Sequence, residues 1–325
     1  GSLDGANTRT RDKRYLMELR YLLEELPDAQ VDGDPGVILE GIHCDSRRVG
    51  LGDLFVAVRG GQEEDRHLYV GDAVARGARA VVVEDAVNCG GATRVQVADC
   101  RTALARLSAR FYDFPSQHML NIGITGTNGK TTTAFLLRSI LEAAGLSCGY
   151  VGTLGCWIDG ELQQVGNTTP EAAELHRLLR LMVDRGKRAV VLEVSSHGLA
   201  LKRVEGIPFH AAVFSNLTRD HLDFHGTWEQ YFAAKAQLFE NMPEDGVAVV
   251  NLDDPMAAKL IRRTRARVLT YGYDQAAQVR LRQVEPAPSG AILSFDTPLG
   301  PLTTEAHLAG GFNHYNTMAA LATGL

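Results

Sequence analysis

A glycine-rich segment, Gly123–Thr133, holds the residues best suited to chemistry; it reads Gly-Ile-Thr-Gly-Thr-Asn-Gly-Lys-Thr-Thr-Thr. An apolar run precedes it, and a stretch with helical periodicity follows it and stops at Gly145. This order predicts a strand, a loop and a helix. Such a loop directs backbone N–H groups and the positive end of a helix dipole toward one point, where a polyphosphate binds. Lys130 would reach the β- and γ-phosphates, and the Thr131 hydroxyl would bind Mg²⁺.

The loop is shorter than the usual phosphate loop. The usual spacing places a glycine where this chain has Ile124, and the first glycine is instead Gly126. A glycine turn without a ligand is the alternative, but it does not explain why Lys and Thr directly follow Gly129. A phosphate-loop kinase or switch NTPase is a second alternative, disfavoured by the missing glycine and by the lack of a base motif near the loop.

Two further polar segments follow predicted strands. Glu193 ends the apolar run 188–194 and precedes Ser-Ser-His-Gly, so it is the candidate for a second Mg²⁺ ligand at the tip of a neighbouring strand; a capping or ion-paired glutamate is the alternative. The segment 216–226 gathers charged residues and histidines, of which His221 is the candidate metal ligand. His225 is predicted to be structural or to lie near the substrate.

Lys235 and the turn 167–170 are ambiguous by composition. Lys235 lies on an apolar helical stretch, where composition alone predicts a surface lysine with a buried stem. In Asn-Thr-Thr-Pro, Thr168 or Thr169 can cap the following helix, and the start of a helix also receives anionic groups.

Strands and helices alternate from residue 120 onward. This alternation predicts an α/β fold with a doubly wound, mostly parallel sheet and the glycine loop at the C-terminal end of its first strand. The predicted strands are 120–124, 188–194, 210–215 and 246–251, and the predicted helices are 131–144, 171–185, 228–240 and 254–263. After residue 268 the pattern changes to alternating strands at 279–282 and 291–295, which predicts an antiparallel extension.

The N-terminal part is predicted to be a small α/β domain. Residues 15–26 carry leucines at helical spacing, and short apolar strands around polar loops follow. Phe-Pro-Ser at 114–116 marks the boundary, so the predicted domains are 1–117 and 118–325.

The composition narrows the function classes. The 325 residues are 45% hydrophobic and 22% charged with a net charge of −6, which gives no electrostatic footprint for nucleic acid or an anionic membrane. The five cysteines form no C-x-x-C pair, which favours a reducing compartment and argues against a zinc site or a disulfide framework. No apolar run approaches the roughly 18 to 20 residues of a membrane span, and no signal pattern opens the chain, so a cytoplasmic location is predicted.

Taken together, the motifs resemble the Mur ligase family, and within it the ligases that add a diamino acid to UDP-MurNAc-L-Ala-D-Glu. The similarity runs in order from about Gly41 to the end of the chain. The motifs are Asp-Ser-Arg, Gly-Thr-Asn-Gly-Lys-Thr-Thr-Thr, Asn-Thr-Thr-Pro, Leu-Glu-Val-Ser-Ser-His-Gly-Leu, Asn-Leu-Thr-Arg-Asp-His-Leu-Asp-Phe-His-Gly, Ala-Ala-Lys and Gly-Phe-Asn-His-Tyr-Asn.

The resemblance implies a nucleotide site for ATP and Mg²⁺. The residues implied at the ATP phosphates are Gly126, Thr127, Asn128, Gly129, Lys130, Thr131 and Thr132, and those at the adenosine are Asn313 and Asn316. One Mg²⁺ would be held by Thr131 and Glu193. A second would be held by His221 and by Lys235 after its carboxylation by CO₂, which turns a cation into an anion.

The resemblance also implies a site for the UDP-MurNAc-dipeptide. The residues implied at the UDP end are Cys44, Ser46, Gly61, Gln62 and Glu63, and those at the muramoyl-dipeptide are Asn167, Thr168, Thr169, Ser195 and Arg203. Arg203 would supply the local positive charge that an acidic protein needs for an anionic substrate.

The implied activity is the ATP-dependent joining of meso-diaminopimelate or L-lysine to UDP-MurNAc-L-Ala-D-Glu through an acyl phosphate, in peptidoglycan precursor synthesis. The enzyme is expected to be a monomer.

Two features depart from the family pattern. Leu201 stands where the family often has a glutamine. The amino-acid-selecting Asp-Asn-Pro-Arg motif of the family's C-terminal domain is not among these residues, so that domain is expected to be absent. The alternative that this chain is an inactive nucleotide-binding fragment therefore stays open. Asp-Ser-Arg argues against a folylpolyglutamate synthase, and Asn-Thr-Thr-Pro with Ser-Ser-His-Gly-Leu argues against MurF.

Overall fold

The computed structural model describes residues 15–60, 65–218, 222–288, 290–308 and 310–325. The chain divides into two compact units: Gly1–Val58 with Asp65–Cys100, and Arg59–Glu64 with Arg101–Leu325. The domain limits expected from the sequence, 1–117 and 118–325, remain predictions.

A mostly parallel sheet organises the first unit. Its strands, in spatial order, are β2 (Gln30–Asp32), β7 (Thr93–Gln96), β6 (Ala80–Val83), β5 (Leu54–Val56) and β4 (Ile42–His43). Strand β2 is antiparallel to β7, and the other pairs are parallel. Helix α2 (Val70–Ala75) lies between β5 and β6 in the chain. The carboxyl ends of β4 and β5 therefore meet at one edge, where the Asp-Ser-Arg segment begins.

The leucine-rich start of the chain forms a shorter helix than the spacing predicts. Helix α1 covers only Leu19–Leu22, and a 3₁₀ turn follows at Leu23–Glu25. The preceding strand β1 (Met17–Glu18) pairs with β3 (Ile38–Leu39), so tertiary pairing takes residues that helical spacing alone assigns to the helix.

A larger sheet organises the second unit and, within the described residues, has eleven strands. Its central parallel strands, in spatial order, are β9 (Cys148–Gly152), β12 (Ala189–Glu193), β8 (Leu120–Thr125), β13 (Ala211–Phe214), β14 (Val247–Asn251), β15 (Arg267–Gly272) and β16 (Val279–Ala287). Antiparallel strands extend both edges: β10 (Gly155–Ile158) and β11 (Glu161–Gln163) beyond β9, and β17 (Gly290–Asp296) and β18 (Leu302–Ala306) beyond β16.

Helices cover both faces of this sheet: α4 (Lys130–Ala143) and α10 (Gly311–Gly324) on one face, and α5 (Ala172–Asp184), α8 (Trp228–Glu240) and α9 (Ala257–Ile261) on the other. The described chain also contains α3 (Cys100–Phe111), α6 (Ser196–Ala200) and α7 (Leu222–His225). Strand residues point alternately to the two faces, so Val191 packs with α4 and α10, and Leu192 packs with α5 and α8. Both faces are apolar because both are covered.

The predicted fold class is confirmed: a small α/β unit, a doubly wound parallel sheet and an antiparallel extension over β16 and β17. In this sheet, β9 to β11, β15 and β18 were not among the predicted strands. Strands β10 and β11 form an edge hairpin, and β11 is exposed throughout, so it lacks the apolar alternation that identifies a half-buried strand. Among the described residues, no helix has the length and apolar character needed to cross a lipid bilayer.

Candidate nucleotide and substrate sites

The glycine loop joins β8 to α4 as predicted. Gly126 has φ +150° and Gly129 has φ +87°, a backbone region that favours glycine, and α4 begins at Lys130. Helix α4 therefore begins at the C-terminal edge of the sheet, at the point where β12, β8 and β13 end side by side, and the start of a helix carries N–H groups without partners inside the helix.

Neighbouring chain segments hold this loop tightly. Asn128 N–H donates to Asn216 Oδ1 at 2.9 Å, and Ser215 Oγ donates to the Asn128 carbonyl at 2.7 Å. A Cβ atom on Gly126 would collide with Ser215 Oγ, and one on Gly129 would collide with Asn316 Oδ1. The loop conformation therefore depends on glycine at both positions and on contacts that are distant in sequence.

Helix α10 brings both predicted adenosine residues to the loop. Asn316 Oδ1 accepts from Thr133 Oγ1 at 3.3 Å, and Asn316 Nδ2 donates to Asn313 Oδ1 at 3.0 Å. Both asparagines are buried, at 6% and 9% exposure. Asn316 lies beside Gly129, and Asn313 is joined to the loop through Asn316.

Two lysine ammonium groups converge on the Gly126 carbonyl. Lys130 Nζ donates to it at 2.8 Å and to the Thr127 carbonyl at 3.0 Å, while Lys235 Nζ donates to it at 2.9 Å. Lys235 is 2% exposed, so the composition-based prediction of a surface lysine is wrong. Its ammonium also lies 4.9 Å from the centroid of the Tyr231 ring, which favours a cation.

Glu193 lies at the end of β12, next to β8, and is 1% exposed. Its Oε1 accepts from the Tyr150 hydroxyl at 2.5 Å and its Oε2 from Thr153 Oγ1 at 3.0 Å. Burial and the neighbouring carboxylate raise the pKa of Tyr150, which stays protonated and donates to Glu193.

The Asn-Thr-Thr-Pro turn meets the Ser-Ser-His-Gly segment. Thr169 Oγ1 donates to the Glu193 carbonyl at 2.9 Å, Ser195 N–H donates to Thr169 Oγ1 at 3.0 Å, and Ser195 Oγ caps α6 by accepting from Gly198 N–H at 3.0 Å. Thr168 Oγ1 lies 3.1 Å from Thr153 Oγ1, beside the exposed Asn167.

Arg203 lies next to this turn. It donates to the Thr169 carbonyl at 3.0 Å and to Glu171 Oε1 at 2.8 Å. Arg101 binds the other Glu171 oxygen at 3.2 Å, so the Glu171 carboxylate joins two arginines at this turn. Arg203 Nε is buried and has no hydrogen-bond partner among the described residues.

In the first unit, Cys44 and Ser46 follow β4, and both are buried. Arg66 Nη1 donates to the Cys44 carbonyl at 2.6 Å. The Arg47 side chain forms two hydrogen bonds with Asp45 and lowers the pKa of Asp45 to about 2. This loop therefore carries arginines at the edge where a UDP group is expected.

Four predicted site residues, Gly61, Gln62, Glu63 and His221, lie outside the described residues. Within the part of the chain that the structure describes, no group of three His, Cys, Asp or Glu side chains could hold a metal ion.

Sequence reasoning missed the tyrosines at the site. Tyr150 and Tyr231 are fully buried and bring polar hydroxyls to Glu193 and Thr127. From the sequence alone, each tyrosine lies in an apolar segment and is expected to be an ordinary core residue. Only the approach of strands and helices distant in sequence shows that the hydroxyls reach the site.

The fold and the loop define a phosphate-loop α/β protein with a buried carboxylate beside the loop. Residues 124–324 match the Mur ligase middle domain, and the chain belongs to the Mur ligase family. The family resemblance seen in the motifs is therefore confirmed.

Curated proteins with similar sequences belong to the same family. A UDP-N-acetylmuramoyl-L-alanyl-D-glutamate–2,6-diaminopimelate ligase of Geobacter sulfurreducens is 41% identical over 316 residues, which cover 95% of this chain and 62% of that protein. The corresponding L-lysine ligase of Staphylococcus haemolyticus is 38% identical over 310 residues, 94% of this chain and 63% of that protein. The chain thus spans less than two thirds of the length of these relatives.

Solved structures with a similar fold include a ligase of the same family. A structure of a 2,6-diaminopimelate ligase aligns with a TM-score of 0.81 at 32% identity, over 94% of this chain and 63% of that one. A folylpolyglutamate synthase of Mycobacterium tuberculosis, solved with ADP and AMPPCP, aligns with a TM-score of 0.58 at 19% identity over 69% of this chain and 57% of that one, which shows a shared fold alone.

Proposed function

We propose that this chain carries the nucleotide and UDP-substrate sites of an ATP-dependent amide ligase that adds a diamino acid to UDP-MurNAc-L-Ala-D-Glu in peptidoglycan precursor synthesis. The observation that carries the proposal is the meeting of the phosphate loop, the buried Glu193 and the Thr169–Ser195–Arg203 group at one edge of the sheet. The names of the relatives supply the substrate class.

The residues present fit a magnesium ion. Glu193 is buried and accepts two hydrogen bonds, but it has no ion-pair partner among the described residues, so no cation there neutralises its charge. A carboxylate with a nearby threonine hydroxyl is an oxygen donor set that suits Mg²⁺. We assign Thr131 and Glu193 as its ligands; the ion would neutralise charge on the β- and γ-phosphates.

The loop would act by positioning and electrostatics. Lys130 would leave the Gly126 and Thr127 carbonyls for the γ-phosphate, and the N–H groups at the start of α4 would bind the phosphate oxygens. The D-Glu carboxylate of the substrate then attacks the γ-phosphorus and ADP leaves. The amine of the diamino acid attacks the resulting acyl phosphate, loses a proton, and releases phosphate.

The remaining residues would hold the other substrate. Thr168, Thr169, Ser195 and Arg203 would bind the muramoyl-dipeptide, and Cys44 and Ser46 would bind the UDP end. Asn313 and Asn316 would contact the adenosine. Lys235 would support the phosphate loop as an ammonium and bind metal if carboxylated, together with His221. A monomer in the cytoplasm is part of the proposal, and the five free cysteines agree with that location.

The test is ADP release by the whole gene product with UDP-MurNAc-L-Ala-D-Glu and either meso-diaminopimelate or L-lysine. We expect release that requires the UDP-substrate and one of the two amino acids. ADP release that is indifferent to the UDP-substrate would overturn the ligase proposal and leave a phosphate-loop enzyme with another acceptor.

A further inference from the structure

Tyr231 links helix α8 to the phosphate loop by two routes. It is fully buried, and its hydroxyl lies 3.1 Å from Thr127 Oγ1. One helical turn later on the same face, Lys235 lies over the Tyr231 ring and donates to the Gly126 carbonyl. Two adjacent loop residues are thus fixed by one face of α8.

The hydrogen bonds of Thr127 form a complete set. Thr218 N–H donates to Thr127 Oγ1 at 3.0 Å, and Thr127 Oγ1 donates to the Thr218 carbonyl at 3.2 Å. A hydroxyl has one proton and two acceptor sites, so the Tyr231 hydroxyl must be the donor to the remaining site. Tyr231 therefore completes the set that fixes the Thr127 rotamer.

This arrangement affects the loop backbone. Thr127 N–H donates to the Asn216 carbonyl at 2.9 Å, so the side chain and the backbone of Thr127 are both tied to the segment 216–218. A loop already held in its binding geometry loses less conformational freedom when phosphate binds. Removing the Tyr231 hydroxyl would remove one of the hydrogen bonds that Thr127 Oγ1 accepts and would loosen the geometry of the loop.

We propose that Tyr231 is a positioning residue that preorganises the phosphate loop through Thr127, without touching the nucleotide. The inference rests on the proposed function, because it assumes that the loop binds ATP. It assigns a role in binding to a residue that packing alone would describe as part of the core.

The test is the affinity of the chain for MgATP, measured by calorimetry. Tyr231→Phe keeps the ring beneath Lys235 and removes only the hydroxyl, and we expect about fivefold to tenfold weaker binding, the usual effect of one hydrogen bond. In a Thr127→Val background, Tyr231→Phe should weaken MgATP binding by less than about twofold, because the Thr127 hydroxyl that Tyr231 contacts is already absent.

Tyr271→Phe is the matched control, because Tyr271 is also fully buried and donates one hydrogen bond, to the Phe214 carbonyl at 3.1 Å. It should lower thermal stability to a similar degree and leave MgATP affinity unchanged. Equal affinity losses for Tyr231→Phe and Tyr271→Phe, or an equal loss in both Thr127 backgrounds, would overturn the inference. An unsubstituted chain that does not bind MgATP would overturn the proposed function itself.

Discussion

At the scale of single residues, burial separates site residues from ordinary surface residues. Lys235 and Glu193 are charged residue types that are seldom buried, yet they are 2% and 1% exposed. Each is satisfied by specific hydrogen bonds, Lys235 to the Gly126 carbonyl and Glu193 from two hydroxyls. Burying such groups is costly, which makes a functional role the better explanation for both.

Arg203 gives a prediction at this scale. Arg203→Lys keeps the charge but removes the fork that joins the Thr169 carbonyl to Glu171, as well as the unpartnered Nε donor. We expect the KM for UDP-MurNAc-L-Ala-D-Glu to rise about tenfold and the KM for ATP to change less than about twofold, since one strong hydrogen bond is lost. Steady-state ADP release measures both, with the exposed Arg262→Lys as control. A rise confined to the KM for ATP would contradict the assignment.

At the scale of elements, the site depends on what surrounds the strand–loop–helix segment. Helix α10 is separated from the glycine loop by more than 170 residues in the chain, yet Asn316 lies against Gly129. Ser215 and Asn216 directly follow β13 and hold Asn128. The loop conformation therefore depends on α10 and on the segment after β13.

Gly129 gives a prediction about this packing. Gly129→Ala places a methyl group against Asn316 at φ +87°, whereas Gly145→Ala, at φ +80°, meets no atom within 4 Å. Both changes should cost about 1 kcal/mol of backbone strain. Only Gly129→Ala should weaken MgATP binding, by more than about tenfold, because it alone displaces Asn316. Calorimetry of the two variants compares them directly, and equal binding would show that the contact is unimportant.

At the scale of the whole molecule, global stability depends on a buried histidine. His176 on α5 is fully buried, neither ring nitrogen has a hydrogen-bond partner among the described residues, and burial lowers its pKa to about 4 from 6.5. As the pH falls below 6.5, His176 becomes protonated in the unfolded chain but stays neutral in the folded chain. The contribution of His176 to the free energy of unfolding is therefore fully present above pH 6.5 and is lost as the pH drops toward 4.

We expect the free energy of unfolding to fall by about 2 kcal/mol between pH 7 and pH 5 through this group. His176→Leu should remove that part of the pH dependence, while the same change at the exposed His118 should not. Denaturant titrations at the two pH values measure it. A pH dependence that is unchanged in His176→Leu would show that water or rearrangement relieves the buried ring.

A further prediction at this scale concerns amino-acid choice. The chain spans about 62% of the length of its diaminopimelate-ligase relative, and no Asp-Asn-Pro-Arg motif lies within it. We expect the 325-residue chain to bind MgATP but to release ADP at the same rate with meso-diaminopimelate as with L-lysine. Selective ADP release by this chain would show that the selecting residues lie within it.

The sequence by itself determined the strand–loop–helix of the phosphate site, the alternating elements of the parallel sheet and the family. These features depend on local spacing and periodicity, which a chain carries in its residue order. Only the tertiary structure shows that Lys235 is buried, that the Tyr150 hydroxyl donates to Glu193, and that Tyr231 completes the hydrogen bonds of Thr127. The physical reason is that burial and hydrogen-bond partners are set by segments distant in sequence, which meet only when the sheet assembles.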